Sequence, residues 1–172
     1  MKKIILCFLV STSLIACANQ ETKTEAKTET TGSVTTTGTD VDLIKKSITA
    51  FADGDWPTYA STYADTAKSY HNIWPSNTDT TVGVKIPVLI EGFKKQRELM
   101  DGKLTMGGTI FEVVTMPDGS KYGHVWVDFT WKNKKGEVGK SVLFDSYGIN
   151  KDGKISYEWP IYDTKDVVRL GN

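Results

Sequence analysis

Hydrophobic positions follow a helical spacing from residue 41 and an alternating spacing from about residue 105. Between Val41 and Phe51 the large apolar residues stand at i, i+3, i+7 and i+10, which is one face of a helix. Asp40 is expected to cap the start of this helix, and Gly54 is expected to end it. The folded part of the chain is therefore predicted to begin near Val41.

Two further helices are predicted before the spacing changes. The second begins at Asp55-Trp56-Pro57, since proline is tolerated in a first helical turn. Its buried face is expected to hold Tyr59, Ala60, Tyr63 and Ala64. The third runs from about Pro87 to Met100 and ends at Gly102. Its buried side is predicted to hold Leu89, Ile90, Phe93 and Met100, and its solvent side Lys94, Lys95, Arg97 and Glu98.

The period of two predicts four strands joined by short polar links that contain glycine. They are expected at about Thr105–Thr115, Tyr122–Lys132, Val138–Asn150 and Lys154–Tyr162. Gly107-Gly108 is expected to form a bulge or bend in the first of them. Three helices followed by an antiparallel meander predict an α+β fold, in which a curved sheet covers the helices and leaves a cavity.

The first residues have the pattern of a secretion signal. Lys2 and Lys3 precede a mostly apolar run of twelve residues, Ile4–Ile15, which is short for the ~20 residues of a membrane-spanning helix. The run ends in Leu14-Ile15-Ala16-Cys17, which resembles a bacterial lipoprotein signal cleaved before an acylated cysteine. Residues 1–16 are therefore predicted to be removed, and Cys17 to anchor the protein to a membrane. A plain secretory signal with an incidental cysteine is the alternative.

The anchor limits both the chemistry and the location of the protein. Cys7 would leave with the signal and Cys17 would carry lipid, so a catalytic cysteine and an internal disulfide are excluded. By resemblance to other lipoproteins, Ala18 after the cysteine indicates the outer membrane of a bacterial cell envelope. Residues 17–40, which are rich in Thr and contain no aromatic residue, are predicted to be a disordered tether. One folded domain is expected over residues 41–172.

Charge and histidine content exclude several classes of function. The 172 residues balance 21 Lys and Arg against 21 Asp and Glu, and the chain has no Arg-rich stripe, which argues against a nucleic-acid partner. His71 and His124 are its only histidines, so a three-histidine metal site is impossible. No glycine-rich phosphate loop lies between a strand and a helix. We therefore expect neither a metal nor a cofactor.

Two motifs resemble the nuclear transport factor 2-like superfamily, especially its SnoaL-like branch. One is Phe51-Ala52-Asp53-Gly54-Asp55-Trp56 followed by Tyr63-Ala64-Asp65. The other runs from Asp152-Gly153-Lys154-Ile155 through Glu158-Trp159 to Tyr162-Asp163. The resemblance covers roughly Val41 to Asp163. It implies a cone-shaped α+β barrel with a deep pocket, often dimeric through its sheet, but no particular reaction, because the fold hosts both enzymes and binders.

The resemblance also suggests a pair for proton transfer. In steroid isomerases of this superfamily the general base falls at the place of His71, and a protonated carboxylic acid falls at the place of Asp145. A neutral imidazole can act as a base, and a buried carboxyl among aromatic side chains can stay protonated. The helix tyrosine of those isomerases falls near Ser47 here, and their base is a carboxylate, so steroid isomerisation itself is not expected. The alternative roles are a partly exposed histidine and an ordinary strand carboxylate.

Other residues are candidates for the pocket or for the outer face of the sheet. On the strand near residue 125, Gly123, Val125, Val127 and Phe129 suit a dry core, whereas His124, Trp126 and Asp128 share the opposite face. A His124–Asp128 pair makes Asp128 a further catalytic candidate, and a solvated or interfacial pair is the alternative. The ligand pocket is predicted to be lined by Tyr63, Trp74, Phe93, Trp126, Tyr147 and Trp159, although core packing is the simpler role for most tryptophans.

These observations leave three functions open. The first is a membrane-anchored domain that binds a small apolar or amphipathic ligand in its pocket. The second is an enzyme for isomerisation, dehydration or cyclisation that uses His71 and Asp145. The third is an interaction module, with the sheet face forming a homodimer.

Overall fold

The computed structural model describes residues 31–70 and 83–170, with the side chains of 168–170 left out. Its elements are β1 (Ser33–Thr35), α1 (Thr39–Asp53), α2 (Trp56–Ser61), β2 (Tyr63–Ser69), β3 (Val84–Lys85), α3 (Ile86–Arg97), β4 (Thr105–Thr115), β5 (Lys121–Lys132), β6 (Val138–Ile149), β7 (Ile155–Tyr162) and α4 (Lys165–Leu170). This is the predicted α+β order of helices followed by strands.

The first helix agrees with its prediction except at its start. Gly38, and not Asp40, is the residue before α1, and no side chain caps the helix there. Asp40 lies in the first turn and forms an ion pair with Lys121 of β5 at 2.7 Å. Gly54 ends the helix with φ of 73°, a left-handed conformation that glycine adopts without a steric penalty.

The second helix is shorter than predicted. The Asp55 side chain accepts a hydrogen bond from Thr58 N at 3.1 Å, as a capping residue should. The helix ends after six residues, where the Thr62 hydroxyl donates to the Tyr59 carbonyl at 2.7 Å. Tyr63 and Ala64 therefore belong to β2 and not to the helix. The third helix is also shorter, ending at Arg97, and Arg97 is half-buried rather than on the solvent side.

Seven strands form one open, mixed sheet in the order β1-β4-β5-β6-β7-β2-β3. The four predicted strands, β4 to β7, form its antiparallel meander. The register of β4 against β5 shifts between Met106 and Thr109, so Gly107-Gly108 forms the predicted bulge. β2 runs parallel to β7, so two strands that are distant in sequence are neighbours in the sheet.

The sheet also extends into part of the stretch predicted to be a tether. In β1, Val34 pairs with Val114 of β4, so residues 33–35 add a short edge strand. Residues 17–30 lie outside the described residues.

The core lies between α1 and the inner face of the sheet. Val41, Ile44 and Ile48 of α1 are buried against β4 and β5. Gly123 of β5 permits this contact, because a Cβ there would stand 1.9 Å from the Ile44 Cδ1 atom. The predicted core face of β5 is thus confirmed: Gly123, Val125, Val127 and Phe129 are all buried. Within the residues the structure describes, no helix has the length and apolar character needed to cross a bilayer.

Candidate functional site

A cavity of about 80 Å³ lies between the helices and the inner face of the sheet. Its aromatic walls are formed by Phe51, Phe93, Phe129, Trp131, Tyr147 and Tyr162. One water molecule needs roughly 10–15 Å³ by such a measure. The cavity therefore has room for several waters or for one small organic group.

Two buried carboxyl groups meet at the floor of this cavity. Asp145 of β6 is 4% exposed and Glu158 of β7 is 2% exposed, and both line the cavity. The strands place them side by side, because Tyr147 pairs with Glu158 and Asp145 pairs with Pro160 across the β6–β7 ladder. The backbone N–H of Trp159 donates to Asp145 Oδ1 at 3.1 Å, and the Tyr147 hydroxyl donates to the same carboxyl.

Burial raises the pKa of both carboxyls. The pKa of Asp145 is raised well above its ordinary value by desolvation and then by the charge of Glu158. The pKa of Glu158 is also raised by desolvation, against the opposing effect of hydroxyl donors. Two coupled carboxyls in one apolar site share protons as a pair. A carboxyl in this site can therefore donate a hydrogen bond when it is protonated and accept one when it is ionised.

Two tyrosine hydroxyls hold Glu158 in place, one from Tyr59, which lines the cavity, and one from Tyr63, which does not. Tyr59 Oη donates to Glu158 Oε2 at 2.9 Å, and Tyr63 Oη also contacts Oε2. The two hydroxyls lie 2.9 Å apart, and Ser69 adds another donor to Glu158. Burial, followed by the nearby Glu158 charge, raises the pKa of both tyrosines well above the ordinary value. They therefore remain protonated donors at neutral pH.

A single arginine stands among the lining residues of the cavity. Arg97 Nη2 donates to the carbonyls of Phe51 and Ala52, at 2.6 and 3.3 Å, at the end of α1. The guanidinium lies 5.4 Å from the centre of the Phe51 ring and 6.0 Å from that of Trp56. Burial lowers the pKa of Arg97 to about 10. The group is therefore still a cation at pH 7.

The structure divides the predicted pocket residues into three groups. Phe93 and Tyr147 line the cavity, and Tyr63 lies behind it, bonded to Glu158. Trp126 and Trp159 are absent from the described lining, and Trp126 lies on the outer face of the sheet, 37% exposed. Trp74 lies outside the described residues.

The predicted catalytic residues do not form one group within the part of the chain that the structure describes. Asp145 lies at the cavity floor with the raised pKa expected for it, and its role as an acid stays a prediction. Asp128 is exposed and pairs with Val142 on the outer face, so it is not part of this cavity. His124 bonds through Nδ1 to Glu112 at 3.1 Å and not to Asp128. His71 and Cys17 lie outside the described residues.

Sequence reasoning missed Glu158 because of a bulge in β7. The register shifts between Gly148 and Ile149, so the side-chain alternation that starts at Ile155 is displaced by one residue. A one-residue displacement exchanges the two faces of a strand. Uninterrupted alternation from Ile155 places Trp159 inward, whereas the shifted register places Glu158, Pro160 and Tyr162 there. The signal available in the sequence was the regular spacing of Glu158 with Pro160 and Tyr162.

Among the described residues, no group of three or more His, Cys, Asp and Glu side chains is arranged to hold a metal ion. Two comparisons, with known protein families and with curated proteins, found no match.

Solved structures resemble the chain in fold at low sequence identity. The pinacolase BvnE from Penicillium brevicompactum matches with a TM-score of 0.60 and 9% identity, over 77% of this chain and 88% of its own. A ketosteroid isomerase-like protein from Erwinia carotovora matches with a TM-score of 0.51 and 17% identity, over 69% and 89%. An NTF2-like protein from Burkholderia xenovorans matches with a TM-score of 0.51 and 15% identity, over 78% and 96%.

The chain thus has the nuclear transport factor 2-like fold, with its sheet open rather than closed into a barrel. This is the fold class that the sequence motifs implied. Placement in the SnoaL-like branch stays a prediction.

Proposed function

We propose that this domain binds a small amphipathic molecule in the cavity between its helices and its sheet. The observation that carries the proposal is the Asp145–Glu158 pair, two buried carboxyls that face a cavity with aromatic walls. Burying two carboxyls costs stability unless they are hydrogen-bonded. A ligand oxygen at the cavity floor would add such a bond, while the aromatic walls take its apolar part.

Calorimetric titration with acetophenone, cyclohexanone and phenol tests the proposal. These probes place one oxygen on an apolar ring. We expect at least one to bind to wild type, and Asp145→Asn and Val167→Trp to weaken it, the first by changing the floor and the second by filling the space beside α4. Val88→Trp is the matched control, since Val88 is exposed on α3 and does not line the cavity. Absence of binding by all three probes would contradict the proposal.

The second candidate function is proton-transfer catalysis on a carbonyl substrate. Asp145 lies inside the cavity with a pKa that burial raises, and when protonated it is suited to donate a hydrogen bond to a carbonyl oxygen as negative charge develops there. His71 would supply the base, as the resemblance implies. In an assay on cyclic ketones, His71→Ala should abolish turnover and leave the thermal unfolding temperature unchanged. Turnover that survives this substitution would remove His71 from the mechanism.

We also propose that Cys17 is acylated and tethers the domain to the membrane of a bacterial cell envelope. The support is the apolar run that directly precedes this cysteine in the sequence. Mass spectrometry of the full chain expressed in bacteria should find a lipid on the peptide that begins at Cys17. Cys17→Ser should release the protein from the membrane fraction, whereas Cys7→Ser should leave it there. An unmodified Cys17 in the membrane fraction would refute the anchor.

The outer face of the sheet is a candidate for self-association. Ile110, Trp126, Phe144 and Ile161 stand in register across β4 to β7 and form one apolar row. Ile110 and Ile161 are 59% and 42% exposed. Contiguous exposed apolar surface of this kind commonly marks an interaction site. We propose that a second copy of the chain covers this row.

A further inference from the structure

Arg97 is a half-buried cation without a carboxylate bonded to it in the described part of the chain. The charge of Asp53 acts on it, but the Asp53 carboxylate is bonded to Lys103 Nζ at 2.9 Å. The hydrogen bonds that Arg97 makes to described residues come from Nη2 and go to backbone carbonyls. A guanidinium carries five N–H donors, so donors on Nη1 and Nε remain for a ligand.

Arg97 is one of the residues that line the cavity. The residue ends α3, and its guanidinium carbon lies 5.4 Å from the ring centre of Phe51 and 6.0 Å from that of Trp56. Gln96 and Met100, its neighbours on the same side, also line the cavity. A planar guanidinium held against aromatic rings suits recognition of a planar oxyanion by two parallel hydrogen bonds.

Charge makes the cavity asymmetric. Its floor carries two carboxyls whose pKa values are raised by burial, and its lining contributes one arginine that is a cation at pH 7. A ligand anion near Arg97 would be attracted by that cation, and the raised pKa values reduce the negative charge that the floor carries at a given pH. A free amine would instead be repelled by the guanidinium.

We propose that Arg97 is the anion-binding residue of this cavity and that the ligand is a small apolar carboxylate. Its carboxylate pairs with the guanidinium, its hydrocarbon part lies against the aromatic walls, and any second oxygen meets Asp145 at the floor. This inference rests on the proposed binding function and names the chemical class of the ligand.

Matched pairs of probes test the inference without knowledge of the natural ligand. Phenylacetate, 3-phenylpropanoate and 4-phenylbutanoate are titrated calorimetrically beside their primary amides, which keep the size and remove the charge. For the best-fitting length, we expect wild type to bind the carboxylate about tenfold or more tightly than the amide, as a charge-assisted bidentate contact does.

Three variants separate the role of Arg97 from general stability. Arg97→Gln should bring the carboxylate-to-amide ratio to about one or below while binding the amide within about twofold of wild type. Arg97→Lys should retain part of the ratio, since lysine keeps the charge but not the fork. Lys95→Gln, an exposed lysine on the same helix, should leave the ratio unchanged. Binding of the amide by Arg97→Gln also shows that this variant is folded.

The possible outcomes distinguish failure of the anion site from failure of the proposed binding function. Equal binding of carboxylate and amide by wild type, or a full preference retained by Arg97→Gln, overturns the anion site and leaves the ligand-binding function standing. If wild type binds no carboxylate, no amide and none of the three neutral probes used for the binding test, both the anion site and the proposed binding function are overturned.

Discussion

Asp145 and Glu158 have lost the solvation that water gives a carboxylate, and this loss should make stability depend on pH. Their folded pKa values lie above the ordinary 3.8 and 4.5, so in the window above those values the unfolded chain releases protons that the folded chain retains. Stability should therefore fall as pH rises through this window, by up to about 1.4 kcal/mol per pH unit for each carboxyl. Urea unfolding at pH 5 and pH 8 measures the slope.

The isosteric variant Asp145→Asn cannot titrate at this position and should show a flatter pH profile. Asp65→Asn is the control, because Asp65 is exposed on β2. Identical slopes for wild type and Asp145→Asn would mean that Asp145 is ionised in the folded protein.

The hydroxyl of Tyr59 is the second residue-scale feature with a measurable effect. Tyr59→Phe removes the 2.9 Å bond to Glu158 Oε2 and leaves a buried carboxyl with one donor fewer. We expect a loss of about 1–3 kcal/mol in the free energy of unfolding. The loss should be larger at pH 8 than at pH 5, since the ionised carboxylate depends more on its donors. Tyr122→Phe, on the outer face of β5, should change stability by less than about 0.5 kcal/mol.

At the scale of elements, the packing of α1 on β5 depends on a missing side chain. A methyl group at Gly123 would overlap the Ile44 side chain, so Gly123→Ala should destabilise the protein by about 1–3 kcal/mol. Gly92 in α3 has open space where its Cβ would be, so Gly92→Ala should be neutral or stabilise the helix by up to about 1 kcal/mol. Thermal or urea unfolding of both variants checks the contrast. A Gly123→Ala variant as stable as wild type would show that α1 shifts to accept the methyl group.

The elements that the sequence predicts best are those with an uninterrupted period. β4 to β7 agree with their predicted bounds to within a residue or so, because alternation and glycine-containing links are local signals. The end of α2 was missed because Tyr63 and Ala64 also continue the helical spacing from Tyr59 and Ala60, while the parallel pairing with β7 is a contact distant in sequence. Arg97 was placed in solvent because helical spacing does not reveal a long side chain folded back over Phe51.

The two carboxyls at the cavity floor were predicted only in part, because the position of one depends on pairing between strands. Asp145 was predicted from the family resemblance. Glu158 depends on the bulge at the start of β7, whose existence is set by pairing with β6. His124 is hydrogen-bonded to Glu112 and not to Asp128. Glu112 lies directly opposite His124 on the neighbouring strand β4, whereas Asp128 lies further along β5 itself.

At the scale of the whole molecule, the apolar row across the outer face should set the oligomeric state. If a second copy covers it, the domain should sediment as a dimer at about 100 µM, and the double variant Ile110→Lys/Ile161→Lys should sediment as a monomer. Val88→Lys, on exposed α3, should remain dimeric. A wild-type monomer at this concentration would contradict the proposal that a second copy covers the apolar row.

The parallel contact between β2 and β7 also affects the order in which parts of the protein fold during synthesis. The hydroxyls of Tyr59 and Tyr63 reach Glu158 across 99 and 95 positions of the chain, so this contact closes a loop that includes most of the domain. Closing such a loop is slow, since its entropy is lost before the contact repays it. A growing chain that ends before residue 155 thus has most of the aromatic wall but neither the second carboxyl nor the strand that positions it. If the cavity binds its ligand as proposed, binding requires β7, and ligand binding then reports when the contact between β2 and β7 has formed.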